Sequence, residues 1–152
     1  MVKVAERIAI QLTPEQAVAN LAAHIAEGRL VQNNWHGRDG DGRELACLLG
    51  SLHPDIDDPS KCPATLMPSW LAHATPRLFD NLHQDDMLGW AKHYAAAMRG
   101  WLVLSPAAWG RVRTEWRVAI VQYAVEKAEP VAKEKPYWVD TKKACQAVID
   151  AL

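Results

Sequence analysis

The chain has 152 residues, of which 49% are hydrophobic and 23% charged, a balance that is typical of a folded globular protein and excludes a disordered one. Seventeen basic and eighteen acidic residues give a net charge of -1. This charge argues against a protein that binds nucleic acid over its whole surface. The length predicts a single domain over residues 1–152, in which residues 1–12 form an N-terminal arm.

The cysteine content and the hydropathy pattern predict the compartment. Three cysteines, an odd number, are spread along the chain and do not form a disulfide framework, so the reducing cytoplasm is expected. No stretch contains about eighteen consecutive apolar residues, and the first residues lack the apolar stretch of a signal peptide. We therefore expect a cytoplasmic protein that has no membrane partner.

The stretch between Asn34 and Leu49 combines turn residues, charges, a histidine and a tryptophan. The sequence Asp39-Gly40-Asp41-Gly42 is a strong turn signal, because glycine tolerates positive φ and aspartate accepts hydrogen bonds from amides just downstream. It predicts a short hairpin near residues 30–44, followed by a helix over residues 45–49, where leucine and alanine favour helix. The side chains around the turn form a candidate recognition surface, which consists of Trp35, His36, Arg38, Asp39, Asp41 and Arg43.

Other interpretations of this stretch are weaker or less specific. A calcium loop fails, because Arg43 would stand at a ligand position and Gly50 at the position of the final glutamate. A nucleophilic thiol at Cys47 would need a lowered pKa and a base such as His36. A free cysteine between alanine and leucine is more typical of a core position. A solvated turn without function would have the same composition as a recognition surface.

The segments on either side of this stretch predict a helix and a loop. Thr13-Pro14-Glu15-Gln16 is a capping box with proline at the first helical position, so a helix begins there. Residues 52–63 contain three prolines and several aspartates, which predict an irregular loop. A zinc site in this region would combine Cys47, His53, Cys62 and His73. Their spacing is not the paired spacing of zinc ligands, so we expect no metal and no cofactor.

From residue 63 onward the sequence predicts mostly helix. Prolines begin two short helical turns at residues 67–72 and 75–79, and Asp85-Asp86 begins a longer helix. Ser105-Pro106 begins the next helix, whose apolar stripe extends to about residue 128 and is expected to be buried. The stripe contains Trp109, Val112, Trp116, Ile120 and Tyr123.

The end of the chain is predicted to contain a linker and one more helix. Residues 129–136 are charged and bounded by proline, which is typical of a linker. Asp140 or Thr141 is then expected to cap a C-terminal helix that extends to Leu152.

Two further groups of residues are candidates for other functions. Arg111, Arg113 and Arg117 flank the tryptophan stripe and are compatible with stacking and phosphate contacts to single-stranded nucleic acid. Asp80 and His83 bring a carboxylate near a histidine, the minimum for acid–base catalysis. The chain has no nucleotide loop, no Gly-x-Ser-x-Gly elbow and no His-Glu-x-x-His pair, so the sequence favours a protein that is not an enzyme.

Several motifs resemble a family of small uncharacterised proteins from proteobacteria and their phages. The motifs are Trp35-x-Gly37-x-Asp39-x-Asp41-Gly42-x-Glu44-x-Ala46-Cys47-Leu48-Leu49, Cys62-Pro63-Ala64, Met67-Pro68-x-Trp70-Leu71-Ala72 and Pro76-x-x-Phe79-Asp80. The resemblance covers about residues 15 to 125 and implies a provenance rather than a mechanism. Small phage proteins without catalytic motifs are often inhibitors or modulators of host machinery.

The sequence therefore predicts a mainly α fold, a compact bundle of about six helices with an irregular Gly/Asp/Pro-rich segment. The preferred function is a protein-binding module, because tryptophan and arginine are favoured interface anchors and no catalytic motif is present. Its provenance suggests a factor that acts on a bacterial system such as a defence nuclease. Two alternatives remain: a small hydrolase or transferase that uses Cys47 or Asp80 and His83, and a nucleic-acid-binding protein.

Overall fold

The computed structural model describes residues 10–101 and 103–152, and the chain divides into two compact units, Met1–Val103 and Leu104–Leu152. The first unit contains helices α1 (Pro14–Ala26), α2 (Ser69–Asp80) and α3 (Gln84–Trp101) and strands β1 (His36–Arg38) and β2 (Glu44–Ala46). The second unit contains helices α4 (Pro106–Ala132) and α5 (Trp138–Asp150).

The predicted mainly α class is confirmed. The described residues form five α-helices, where about six were predicted, and a two-stranded antiparallel sheet. None of these helices is long and apolar enough to cross a lipid bilayer. The single domain expected from chain length stays a prediction.

Helix α1 begins as its sequence predicts. The Thr13 hydroxyl accepts a hydrogen bond from the Gln16 amide at 3.2 Å, and the Gln16 side chain accepts one from the Thr13 amide at 2.9 Å. This reciprocal pair satisfies two amides that the first turn of a helix leaves without partners. Ala17, Val18 and Leu21 are buried on one face, and the helix packs against α3.

The core of the first unit lies between α1, α2, α3 and the segment that follows β2. Its largest fully buried side chains are Leu21, Leu48, Leu49, Leu52, Ile56, Met67, Thr75, Phe79 and Met98. Burying a large apolar side chain contributes about 1.5–3 kcal/mol, so this cluster is the main source of stability. Its buried polar groups are paired: the hydroxyl groups of Thr75 and Tyr94 lie 2.7 Å apart, and Thr75 also donates to the Leu71 carbonyl.

The predicted hairpin is confirmed, but the predicted helix over residues 45–49 is wrong. Residues 44–46 form β2, which pairs with β1 and bridges to Leu30, and residues 50–52 form one turn of 3-10 helix. Leucine and alanine have a weak intrinsic preference for helix, and strand pairing on both sides of Ala46 outweighs it. Four of these five residues, Ala46, Cys47, Leu48 and Leu49, are buried nonetheless.

The irregular loop is confirmed, and the two short helical turns after it are one helix. Residues 53–68 contain only a short 3-10 turn, Pro59–Lys61. Helix α2 then extends without a break through Pro76. Proline removes one hydrogen bond from a helix, a loss that the packing of Ala72, Thr75 and Phe79 into the core outweighs.

In the second unit the helix at residue 106 is confirmed, but its end and its burial differ from the prediction. The Ser105 hydroxyl accepts from the Ala108 amide at 3.2 Å, and α4 extends to Ala132, so residues 129–132 belong to the helix rather than to a linker. No residue of α4 is buried, which makes the expected buried stripe wrong. Ile120 and Tyr123 are 44% and 61% exposed, respectively.

The last helix begins earlier than predicted. Helix α5 starts at Trp138, which is buried, so Asp140 and Thr141 lie inside its first turn and do not cap it. Glu129 of α4 accepts from Lys142 of α5 at 2.6 Å. This hydrogen bond, followed by the attraction of the Lys142 charge, holds the pKa of the Glu129 carboxyl below its usual value.

Candidate functional site: a β-hairpin and its groove

The hairpin, residues 36–46, is held by one aspartate at its turn. Asp39 accepts hydrogen bonds from the amides of Asp41 (3.0 Å) and Arg43 (2.9 Å), and from Nε of Arg43 (2.7 Å). The backbone bond from Arg43 is the main cause that lowers the Asp39 pKa, although slight desolvation opposes it. Gly42, at φ 79°, occupies the left-handed position that closes the turn. The turn is therefore held in one shape by its own hydrogen bonds.

Arg38 binds across the same hairpin. Its guanidinium donates to the Gly42 carbonyl at 2.9 Å and to the Glu44 carboxylate at 3.0 Å. The side chains of Arg38 and Glu44 are 66% and 69% exposed, so the pair contributes little stability and stays accessible. Asp41 is exposed at the tip.

The root of the hairpin is attached to the core. Trp35 is half-buried and packs against the core cluster, so it is not fully displayed. His36 donates from Nε2 to the Ile56 carbonyl at 2.9 Å. Gly50 lies so close that a Cβ there would overlap the Trp35 carbonyl oxygen. Of the six predicted recognition residues, Trp35 and His36 thus anchor the hairpin, whereas Arg38, Asp39, Asp41 and Arg43 form its outer part.

One edge of the hairpin is closed by the chain that follows α1. The amide of Ala46 donates to the Arg29 carbonyl at 3.1 Å, and the amide of Val31 donates to the Ala46 carbonyl at 3.0 Å. The guanidinium of Arg29 lies 3.5 Å from the Glu44 carbonyl. The backbone of β2 is therefore paired on both sides.

A groove of about 680 Å³ lies beside the hairpin, within the size range of ligand sites. We call it the hairpin groove; its charged, imidazole and amide side chains are those of Asn20, His24, Arg29, His36, Arg38 and Glu44. Each of its two arginines is paired with a carboxylate, Arg38 with Glu44 and Arg29 with Glu27. Its residues come from α1, from the segment after α1, from both strands and from residues 50, 51 and 54.

The α1 side of the groove is internally bonded. Nδ1 of His24 donates to the Asn20 carbonyl at 2.9 Å, which leaves Nε2 to accept from the Arg29 guanidinium at 3.2 Å. Arg29 also forms an ion pair with Glu27 at 2.7 Å, and its side chain is only 17% exposed. These bonds fix the guanidinium of Arg29 in the groove.

A larger groove of about 1210 Å³ is lined mainly by the irregular loop, and its one lysine is already paired with an aspartate. Lys61 pairs with Asp57 at 2.5 Å, and Nδ1 of His53 accepts from the Asp55 amide at 3.1 Å. Burial raises the pKa of the Cys62 thiol to about 12, so this groove offers no thiolate near neutral pH. We do not place the functional site there.

The residues predicted for catalysis are not assembled. Cys47 is 4% exposed, its sulfur accepts from the Gly50 amide at 3.4 Å, and burial raises its pKa, so it is a core residue rather than a nucleophile. Asp80 accepts from the Asn33 amide at 2.9 Å, while His83 is exposed and lies 3.4 Å from Asp85. Over residues 10–101 and 103–152, no cluster of histidine, cysteine and carboxylate side chains is arranged to hold a metal ion.

Sequence reasoning did not find the half of the groove that comes from α1. Asn20, His24 and Arg29 lie near one another in α1 and the segment after it, but nothing local indicates that they face a hairpin that begins at His36. The pairing of Arg29 with Ala46 is a long-range contact that no local pattern encodes.

Comparison with known proteins gives no relative that would name the site. No protein family, curated protein or solved structure matches the chain. Function must therefore be argued from the geometry of the hairpin and its groove.

Proposed function

We propose that the protein is a protein-binding module and that the outer part of the hairpin, with the hairpin groove, is its recognition surface. The observation that supports this most is the rigid turn, in which Asp39 alone accepts three hydrogen bonds. A surface that is ordered before binding loses less conformational freedom on association than a mobile loop. Arg38 and Asp41 are exposed on it, and arginine is a favoured interface residue.

We also propose the origin of the protein and the kind of bacterial system on which it acts. The motifs of residues 35–49 and 62–80 resemble small proteins of proteobacteria and their phages, and we propose a cytoplasmic factor that inhibits or modulates a bacterial system such as a defence nuclease. Expression of the protein in a bacterium that carries such a nuclease should raise the plating efficiency of a sensitive phage. Unchanged plating would remove this part of the proposal and leave protein binding in place.

The test of protein binding compares two positions for a photo-crosslinking amino acid in living bacteria. Placed at Asp41, at the hairpin tip, it should give a discrete adduct that mass spectrometry identifies as a protein. Placed at the exposed Lys92 of α3, it serves as the control and should give none. Equal adducts at both positions, or none at Asp41, would contradict a recognition surface at the hairpin.

A pair of side-chain substitutions tests the same surface independently. The Arg38→Ala/Asp41→Ala variant should retain its melting temperature, because both side chains are exposed, and should lose the captured protein. Retention of the partner by an equally stable variant would place the interface elsewhere.

Two alternatives receive less support. The thiol version of a hydrolase conflicts with the burial of Cys47. A nucleic-acid site at Arg111, Arg113 and Arg117 fits their exposure on α4, but exposed arginines alone are also typical of a solvated helix face. A gel-shift titration of single-stranded DNA and RNA at low and high salt distinguishes a nucleic-acid site from a solvated helix face, since phosphate binding weakens steeply with salt.

A further inference from the structure

The chain contains two Asp-Gly pairs, Asp39-Gly40 and Asp41-Gly42, and both lie in the turn of the hairpin. The backbone nitrogen of a residue that follows aspartate can attack the aspartate carboxyl group and close a five-membered ring. Glycine favours this attack, because it has no Cβ to obstruct the approach and its backbone is the least restricted. Since the two dipeptides are identical, their surroundings decide which aspartate reacts.

Asp39 is held in a form that resists this attack. Its carboxylate accepts hydrogen bonds from the amides of Asp41 and Arg43 and from Nε of Arg43, and its side chain is only 19% exposed. Ring closure requires the protonated carboxyl group, because a hydroxyl leaves. The bonds stabilise the ionised form instead and lower the pKa of Asp39, the backbone bond from Arg43 most strongly. A reaction at Asp39 therefore has to break these bonds.

Asp41 lies in different surroundings at the tip of the same turn. Its side chain is exposed, and among the residues that the structure describes none donates to its carboxylate. The attacking nitrogen, that of Gly42, is restrained by one backbone bond, its donation to the Asp39 carbonyl at 3.0 Å. Gly42 is exposed, so water can replace this bond while the strands stay paired. One neutral bond is weaker than the bonds to the Asp39 carboxylate, which are charge-assisted, so Asp41 is the more reactive aspartate.

We propose that Asp41 is a site of spontaneous covalent modification, at which isoaspartate forms in the folded protein, whereas Asp39 is protected. The nitrogen of Gly42 forms a bond to Cγ of Asp41, the Cγ–OH bond breaks, and the hydroxyl leaves with the amide proton as water. Water then opens the resulting succinimide ring at one of its two carbonyl groups. Opening at the former main-chain carbonyl gives isoaspartate, and opening at Cγ restores aspartate. The inference goes beyond protein binding and involves no partner.

Isoaspartate at position 41 would change the outer part of the hairpin. The main chain then passes through Cβ and Cγ of that residue, so one carbon atom is inserted ahead of Gly42. The Gly42 carbonyl accepts from the Arg38 guanidinium at 2.9 Å, and its amide donates to Asp39. We expect the insertion to break both bonds. The hairpin turn would therefore have a chemical lifetime in addition to its thermal stability.

The test measures isoaspartate at both positions in the full-length protein. The protein is incubated at physiological temperature in mildly acidic buffer for several weeks, folded in one sample and unfolded by urea in another. Peptide mapping with electron-transfer fragmentation distinguishes isoaspartate from aspartate at each position. In the folded sample Asp41 should convert at least about tenfold faster than Asp39, since only Asp39 has to give up its carboxylate bonds. In urea, where the turn is lost, both should convert at similar rates.

Two glycine variants identify the attacking nitrogen. Gly42→Ala places a Cβ beside the nitrogen that attacks Asp41, and should slow conversion there by about tenfold. Gly40→Ala is the matched control, because its Cβ meets nothing within 4 Å and its nitrogen takes no part in the reaction of Asp41. It should leave the conversion of Asp41 unchanged. Thermal melts establish that both variants fold, and equal conversion of Asp41 in the two would contradict attack by Gly42.

A third variant tests the protection of Asp39. Arg43→Ala removes the guanidinium, which donates from Nε to the Asp39 carboxylate at 2.7 Å, and leaves the backbone amide of residue 43 in place. Conversion of Asp39 should rise by about threefold or more in the folded variant, while Asp41 should change less. An unchanged rate at Asp39 in a folded variant would contradict protection by this bond.

The remaining outcomes also decide the proposal. Conversion of Asp39 that equals or exceeds that of Asp41 in the folded protein would overturn it. Conversion of both aspartates in urea and of neither in the folded protein would overturn it as well, because the turn would then protect both. Protein binding is tested by the crosslink at position 41 in cells, which succeeds or fails whichever aspartate converts, so the two proposals fail separately.

Discussion

Replacement of Gly50 by alanine tests how firmly the hairpin root is packed. A Cβ at this position would overlap the Trp35 carbonyl oxygen and lie 3.1 Å from Cε1 of His36. The overlap is with backbone, which cannot rotate away, and the same carbonyl accepts from the Cys47 amide at 3.3 Å. Overpacking of this kind costs about 1–3 kcal/mol, and we expect the upper half of that range. For a unit of this size, the melting temperature should fall by roughly 10–20 °C.

Two other glycines of the chain provide matched controls in thermal and urea unfolding. Gly40→Ala adds a methyl group that meets nothing within 4 Å, at a φ that is not left-handed, and should stay within about 0.5 kcal/mol of the wild type. Gly42→Ala is also sterically open, but φ is 79° there, so about 1 kcal/mol is expected. If the Gly50→Ala and Gly40→Ala variants have the same melting temperature, the close approach of Gly50 to the hairpin root is wrong.

Three further predictions concern the buried hydroxyl pair, the turn and the thiols. Tyr94→Phe should cost about 0.5–1.5 kcal/mol in urea unfolding, because the 2.7 Å bond to Thr75 is lost; no change would mean that the pair is not formed. The pKa of Asp39 is lowered in the folded state, so its contribution to stability is present above the unfolded value near 3.8 and is lost as the pH falls through the folded value. If an NMR titration of the Asp39 carboxyl gives a midpoint at or above 3.8, the hydrogen bonds at the turn are contradicted. Cys47 and Cys62 should resist iodoacetamide at pH 8 until the protein is unfolded, and rapid alkylation of either in the native state would show that it is accessible.

Local sequence signals predicted those parts of the fold that depend on local chemistry. The capping box at Thr13, the turn at Asp39 and the cap at Ser105 are all confirmed, because each is formed by side chains that bond within a few residues. Helix type was also predictable over residues 85–100 and 106–128, where helical periodicity extends over several turns.

The errors arise where distant contacts decide. Residues 44–46 are a strand because β1 and Leu30 pair with them, and Pro76 is tolerated because its helix packs into the core. The apolar spacing in α4 predicts one face of a helix, but it does not specify whether that face is buried. For the same reason the sequence predicted the outer residues of the candidate site, but not the contribution of Arg29.

The shortness of the hairpin has a consequence for folding and turnover. Two strands of three residues are too short to be stable alone, and their support comes from Leu30, Gly50 and Ile56, which lie outside the hairpin. The hairpin should therefore form together with the core and open as one unit with it rather than fray separately. A protease should then cleave the hairpin at the rate at which the whole first unit unfolds. Loss of stability anywhere in that unit would shorten the lifetime of the recognition surface.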